Sequence, residues 1–391
     1  MKKYFLLPIS LILLLFWPIH AQEIVVPKPQ ITRLATVSET NYLNQLALKG
    51  FSLERQGILV ESLDGRTIYA DLNSEIGFNP ASVIKVATSF AAIAKYGPEY
   101  HFETTFYADG LVDKKKRTLT GDLILNASGN PVLTSVDVSR LVRDVVRAGI
   151  TRVSGNLIVI GPFTYASYYT TDRAIKALNQ VLRRAGVKVN GTIRWGAQRG
   201  TRITTHVSAS LRDILFYQNA HSVNTTADRL GEAVGGPRGV EQFLIKSLGI
   251  EPDQISISRC SGLDYNRITP RATVLMLREL MFWLNLNNMQ PQDVLPVAGV
   301  DPGTLHRRFT GQEYRGAVIG KTGTLPATDG GISTLAGIIY TRTYGPVLFA
   351  IFNTKGSVST YRRLQDDFLK GFIAESGGIP DVSASLHRLN N

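Results

Sequence analysis

With 391 residues, 44% hydrophobic and 19% charged, the chain carries enough apolar material for a sizeable core. That excludes a small disulfide scaffold, a collagen-like repeat and a wholly disordered tail. The 43 Lys and Arg exceed the 31 Asp and Glu, giving a formal charge of +12. The basic residues are scattered without an arginine-rich arm, which argues against nucleic acid and for an anionic neighbour such as a polymer or lipid surface.

In chain order, Lys2 and Lys3 precede an apolar stretch from Tyr4 to Trp17 that ends in Pro18, Ile19, His20 and Ala21. This reads as a secretory signal over residues 1–21, too short for a spanning helix of about 20 residues. The mature protein is therefore expected in the periplasm or another extracytoplasmic part of the envelope, with membrane contact at most peripheral. Ser38 to Leu48 has helical spacing, and Gly57 to Leu72 reads as a hairpin around Asp64-Gly65. Ser82 to Tyr96 is apolar on nearly all sides, which predicts a helix buried in a core.

From about His101 the texture changes to short strands, Glu103 to Ala108 and Thr118 to Asn126, with Asp113 to Arg117 as a solvated tip. A helix over Val136 to Ala148 and a strand over Asn156 to Ile160 complete a compact piece. Further helices are expected at Thr171 to Ala185, Ser210 to Tyr217 and Thr226 to Val234. Two strands, Gly331 to Tyr340 and Pro346 to Asn353, and a helix from about Ser359 to Ser376 close the chain. Strands at both ends with helices between predict an α+β fold whose sheet is built from both termini, interrupted by a β-rich insert. The lone cysteine, Cys260, rules out an intrachain disulfide and any zinc site built on two cysteines. No cofactor or metal is expected.

Three short motifs carry chemistry. Ser82 and Lys85 lie three apart at a helix start, so their side chains share a face; a serine hydroxyl becomes nucleophilic when an amine of lowered pKa takes its proton. Ser222-Val223-Asn224 falls between two helices, and Lys321-Thr322-Gly323-Thr324 directly precedes the last strand pair. Each is common alone. Together, as S-x-x-K, S-x-N and K-T-G in that order and in those contexts, they specify a serine acyl-transfer site.

In these motifs the sequence resembles the penicillin-recognising serine acyl enzymes, and more closely the class C low-molecular-mass penicillin-binding proteins, the D-alanyl-D-alanine carboxypeptidase/endopeptidase family. Phe78 to Lys85 around the nucleophile, Ala298 to Asp301 with Gly303 to Leu305, Ser261 to Leu263 with Asn266 to Pro270, and Gly320 to Leu325 carry the likeness across nearly the whole mature chain. The resemblance implies a transpeptidase-like domain over residues 22–98 and 166–391, with a five-stranded sheet between helices and a smaller β-rich domain inserted at 99–165. It implies Ser82 as the acylated nucleophile, Lys85 as its proton acceptor, Ser222 as a proton relay to the leaving amine and Asn224 as a hold on the substrate amide. Lys321 with Thr322 would bind the terminal carboxylate, Gly323 would let a substrate strand approach, and the N–H groups of Ser82 and Thr324 would form the oxyanion hole. Implied partners are peptidoglycan stem peptides and β-lactam antibiotics.

Two positions depart from the family pattern. Arg259-Cys260 stand where Asp-Gly often precedes Ser-Gly-Leu, and Ser128-Gly129-Asn130-Pro131 has an amide where members acting on diaminopimelate-containing peptides often have aspartate. Asn130 is thus a candidate peptide contact without charge. Among competing readings, Gly316 to Thr322 has the wrong glycine spacing for a phosphate loop, and no G-x-S-x-G elbow occurs. A β-lactamase-like hydrolase and a catalytically silent wall-binding homologue are the alternatives.

Overall fold

The computed structural model describes residues 31–380, so the expected export signal at residues 1–21 lies outside the described residues. The chain opens with β1 (Thr32–Arg33), α1 (Val37–Leu48), β2 (Gln56–Ser62) and β3 (Thr67–Leu72), and a 3-10 turn at Ala81–Ile84 leads into α2 (Lys85–Tyr96). There follow β4 (His101–Asp113), β5 (Thr118–Ala127), α3 (Ser135–Arg147), β6 (Arg152–Val153), β7 (Leu157–Ile160), α4 (Thr171–Arg184), β8 (Lys188–Val189), β9 (Ile193–Trp195) and β10 (Thr201–Ser210). Then come α5 (Leu211–His221), α6 (Asn224–Ala233), α7 (Gly236–Leu248), β11 (Ile255–Ser256), β12 (Arg267–Ile268) and α8 (Pro270–Leu286). The last elements are β13 (Val318–Leu325), β14 (Ile332–Thr341), β15 (Gly345–Thr354) and α9 (Val358–Glu375).

The first sheet has the order β1-β3-β2-β15-β14-β13, so both ends of the chain build it. It holds six strands rather than five because the two-residue β1 adds in parallel beside β3. Period-two alternation sorts its side chains onto two buried faces. Ile58, Val60, Leu335, Ile339, Phe349 and Ile351 pack with Tyr42 and Leu46 of α1 and Phe368 and Phe372 of α9. Leu59, Ala336, Ile338, Leu348, Ala350 and Phe352 point the other way, toward α2, α5, α7 and α8. A sheet with both faces covered explains why β14 and β15 read as nearly unbroken apolar runs.

The second sheet runs β10-β4-β5-β6-β8, with β7 also on β5 and β9 on β7. Its apolar side, including Leu119, Leu123 and Leu157, packs on Leu141, Val142 and Val145 of α3 and on Ala174, Leu178 and Leu182 of α4. This unit therefore extends to Ser210, past the boundary at 165 that the sequence suggested. The helix at Thr171 packs in the core of the second sheet and is not a return to the first. β10 was not expected at all, because its residues are mostly polar and more exposed than a central strand's.

Helix starts are largely written in the sequence: Thr36, Thr134, Thr170, Ser210, Thr269 and Ser357 each accept a hydrogen bond from the backbone N–H three residues on. α2 and α6 lack such a side-chain cap. Both open at the site described next.

Candidate active site

Ser82 sits in the 3-10 turn, and the α-helix proper begins at Lys85; the serine does not cap the helix as a serine at a helix start would be expected to do. The turn is shaped by Ala81 at φ +47°, an unusual value for a residue with a Cβ. Asn79 braces it, accepting from Ala81 N–H at 3.0 Å while its amide donates to the Asp264 carbonyl at 3.0 Å. Backbone strain held by such local bonds is a common property of reactive turns.

Lys85 is fully buried, and its Nζ reaches three acceptors: Ser82 Oγ at 2.8 Å, Asn224 Oδ1 at 2.7 Å and the Ser261 carbonyl. Burial lowers its pKa from 10.5 to about 7, and the negative charge of Asp228 partly opposes the fall. Desolvation is the cause of the fall. A lysine poised near neutrality beside a hydroxyl can take that hydroxyl's proton.

Ser222 closes α5 in the left-handed region, at φ +56° and ψ +44°. Its hydroxyl accepts from Lys321 Nζ at 3.0 Å. Lys321 is itself fully buried and also donates to the Thr322 carbonyl at 2.8 Å; burial, and then the neighbouring Lys85, hold its pKa well below the usual lysine value. A cavity of about 420 Å³ is lined by Ser82, Ser222, Thr304, Thr322, Thr324 and three arginines, 307, 308 and 362. Lys321 is not part of that lining. The structure thus brings the three motifs together, with Lys321 held beneath the cavity on Ser222 and beside Lys85.

Gly323 also differs in its reason. A Cβ there would meet Thr334 Oγ1 at 2.1 Å and the Pro80 carbonyl at 2.5 Å, so the glycine is needed for the nucleophile turn to dock on the sheet. β13 itself is the edge strand of the first sheet. Residues 296–298 cover that edge only as far as Gly320, and from Lys321 onward no strand pairs there among the described residues.

Asn130 is 2% exposed and its Oδ1 accepts from Val132 N–H at 3.0 Å. It lines neither the serine cavity nor a larger cleft of about 730 Å³ between Gly129 and the Asp228–Arg229 turn of α6. The Asn130 oxygen is thus held by its own loop, while its buried Nδ2 finds no hydrogen-bond partner among the described residues. His221 is exposed at the end of α5 and packs on Tyr217, ring centroids 4.4 Å apart, as befits a surface residue.

Sequence reasoning missed the support for Lys85. Asp228, one turn beyond Asn224 on α6, accepts from Ser261 N–H at 2.9 Å and from Arg259 Nε at 3.0 Å. Thr88 donates to the Cys260 carbonyl at 2.9 Å. The segment that replaces the family's Asp-Gly is therefore tied down by α2 and α6, and its Ser261 carbonyl meets the lysine. Cys260 is buried, its thiol pushed up to about 12 by desolvation, so it stays protonated and unreactive. Gly231 makes room for it: a Cβ at Gly231 would stand 2.2 Å from Cys260 Sγ. Gly231→Ala is expected to cost about 1–3 kcal/mol through overpacking, and a Cys260→Gly background, which removes the Cys260 Cβ at 2.5 Å as well as its Sγ, should relieve most of that loss. Denaturant unfolding of the four proteins in the cycle checks it; additive effects would mean the pair is not in contact.

The family model for D-Ala-D-Ala carboxypeptidase 3 (S13) matches residues 40–161 and 160–368. The chain belongs to that family. A curated relative, the D-alanyl-D-alanine carboxypeptidase DacB of Haemophilus influenzae, is 28% identical over 103 residues, a stretch covering 26% of this chain and 21% of that protein. The crystal structure of penicillin binding protein 4 (dacB) from the same organism superposes with a TM-score of 0.67 at 20% identity, over 82% of this chain and 96% of the other. A predatory peptidoglycan endopeptidase from Bdellovibrio bacteriovorus gives a TM-score of 0.65 at 20% identity, over 84% and 94%. At such identities the two structures speak for the α+β fold.

Proposed function

We propose that this S13 family member is an exported serine D-alanyl-D-alanine carboxypeptidase that trims peptidoglycan stem peptides and is acylated by β-lactams. The observation that carries the reading is the Lys85 amine 2.8 Å from the Ser82 hydroxyl, beneath an open cavity. Neutral Lys85 accepts the Ser82 proton as Oγ attacks the carbonyl of the penultimate D-alanine. The N–H groups of Ser82 and Thr324 stabilise the developing oxyanion. As the C–N bond breaks, the Ser222 hydroxyl delivers its proton to the leaving D-alanine amine and is reprotonated through Lys321, which takes up in turn the proton that Lys85 received from Ser82, so that Lys85 is neutral again. Asn224 Oδ1 keeps Lys85 aimed at the serine, and water then hydrolyses the acyl-serine ester. Cross-linked peptides undergo the same chemistry with a larger leaving group, for which the open end of the β13 edge leaves room. We place the second sheet, residues 101–210, as an insert within the catalytic domain.

Among the described residues no helix is long and apolar enough to cross a membrane. The reading of residues 1–21 as an export signal places the substrate and the enzyme in the same compartment.

Incubation with a fluorescent penicillin, alongside D-alanine release from a stem pentapeptide, tests the proposal. A stable one-to-one adduct together with D-alanine release is the expected result. A protein that takes no label is a silent homologue, and one that releases the label rapidly without cleaving peptide is a β-lactamase.

A further inference from the structure

Arg229 of α6 is a buried cation for which the acyl-transfer steps have no use. It is 9% exposed, and among the described residues no carboxylate lies within ion-pair distance of it. Its guanidinium donates instead to backbone carbonyls in the second-sheet unit: Nη1 to Pro131 at 3.1 Å, and Nη2 to Ala166 at 2.7 Å and Tyr168 at 3.4 Å. Its Nε is buried without a partner among the described residues, and the Tyr169 ring centroid stands 5.9 Å from the guanidinium carbon. Burying a charge in this way is unfavourable unless its donors are needed where they are. The two loops it reaches lead into α3 and α4, and they are tied to each other where the Ala166 N–H donates to the Leu133 carbonyl at 3.0 Å. Among the described residues no other side chain of α5, α6, α7 or α8 donates to residues 102–207.

The opening of the same helix serves the reaction. Asn224, its first residue, accepts from Lys85 Nζ at 2.7 Å, and that lysine in turn reaches Ser82 Oγ at 2.8 Å. α6 has no side-chain cap to fix this end. Arg229 lies about 7.5 Å along the helix axis from Asn224, so a shift of α6 at the arginine carries the lysine's acceptor with it. We infer that Arg229 is a positioning residue, which braces α6 against the second-sheet loops and so keeps Asn224, and through it Lys85, in line with the Ser82 hydroxyl. Arg229 does not line the serine cavity, so it acts on the rate of the chemical step and leaves ligand affinity alone. The inference rests on the proposed acyl-transfer function and extends its machinery to a residue that never meets the ligand.

Stopped-flow acylation by benzylpenicillin separates the limiting rate from the half-saturating concentration, and intact mass gives the fraction of protein that takes the label. Arg229→Met, which keeps bulk and removes every donor, should lower the limiting rate about tenfold to a hundredfold, with the half-saturating concentration within about threefold of wild type and labelling close to one per protein. Arg229→Lys, which keeps the charge but not the two-armed reach, should lose about threefold to tenfold. Arg238→Gln, which removes an exposed charge from α7, should leave all three readouts unchanged. In an Asn224→Ala background, where the positioned acceptor is gone, the further loss from Arg229→Met should shrink below about threefold. Arg229→Lys carries the same cycle if Arg229→Met does not fold. A smaller labelled fraction with a limiting rate like wild type's would make Arg229 a fold residue only and overturn the inference. A raised half-saturating concentration at an unchanged limiting rate would put Arg229 on the ligand and overturn it too. Losses that multiply in the double variant would show that Arg229 does not act through Asn224. If wild type takes no label at all, the acyl-transfer reading fails and the inference fails with it.

Discussion

Ser82→Ala abolishes acylation by benzylpenicillin and D-alanine release while the protein remains folded. The variant deletes one oxygen, and among the described residues that oxygen's only side-chain partner is Lys85 at 2.8 Å. Because Ser82 caps no helix, no orphan backbone donor appears on its removal. Lys85 keeps Asn224 and the Ser261 carbonyl as acceptors, so its buried amine is not stranded. The expected stability change is about 1 kcal/mol or less, and the melting temperature should move by only a few degrees. The expected chemical change is total on the scale of intact-mass spectrometry. A penicilloyl adduct persisting on the variant would remove Ser82 from the reaction, whatever the rest of the site suggests.

The second large effect is on Lys85. Acylation needs its neutral form, and with a pKa of about 7 that form grows as pH rises. The acylation rate should therefore climb about tenfold per pH unit well below 7, bend near 7 and flatten above about 8. A lysine at its ordinary value would give a profile still rising at pH 10, which is the outcome that refutes a buried, neutralised base. Lys85→Ala should cost about 10²–10⁴ in acylation rate, the usual worth of a positioned proton acceptor. Lys85→Arg should be no better, since a guanidinium does not release its proton in this range.

Stability has the matching sign. The folded pKa lies below the unfolded one, so between about 7 and 10.5 the unfolded chain binds more protons and stability rises with pH. Lys321, also held well below 10.5, contributes in the same direction. Lys85→Met should shrink that slope, as denaturant titrations at pH 7 and pH 9.5 would show.

The three motifs were legible because acyl transfer needs particular residue types at fixed local spacings, and short spacings survive in sequence. Ser82 with Lys85, and Ser222 with Asn224, are each set by one turn of backbone. What had to be assembled over long stretches of chain was not legible. Arg362 lies far from the serine in sequence and looks there like any helix-surface arginine; only its hydrogen bond to Thr324 brings it to the pocket. Asp228 reads as an ordinary helical aspartate until its bonds to Arg259 and Ser261 are seen.

Two side chains have partners that motif position does not show. Lys321 and Asn130 were assigned from motif position, which identifies a residue's neighbourhood but not the direction of its side chain. Lys321 reaches Ser222 from below the cavity, and a local bond to Val132 turns the Asn130 oxygen inward. The boundary at 165 failed because α4 is amphipathic and either sheet could have buried its apolar face.

The nucleophile turn is wedged against bare backbone on two sides: a Cβ at Gly262 would stand 2.0 Å from the Ala81 carbonyl, and one at Gly323 would stand 2.5 Å from that of Pro80. Any side chain introduced at either glycine would displace the turn that carries Ser82. Natural variation and laboratory selection therefore have little freedom at the reacting atoms. A lineage pressed by a new β-lactam would have to adapt at the cavity rim, at Thr304, Arg307 and Arg362, where side chains face solvent and can be exchanged without moving the serine.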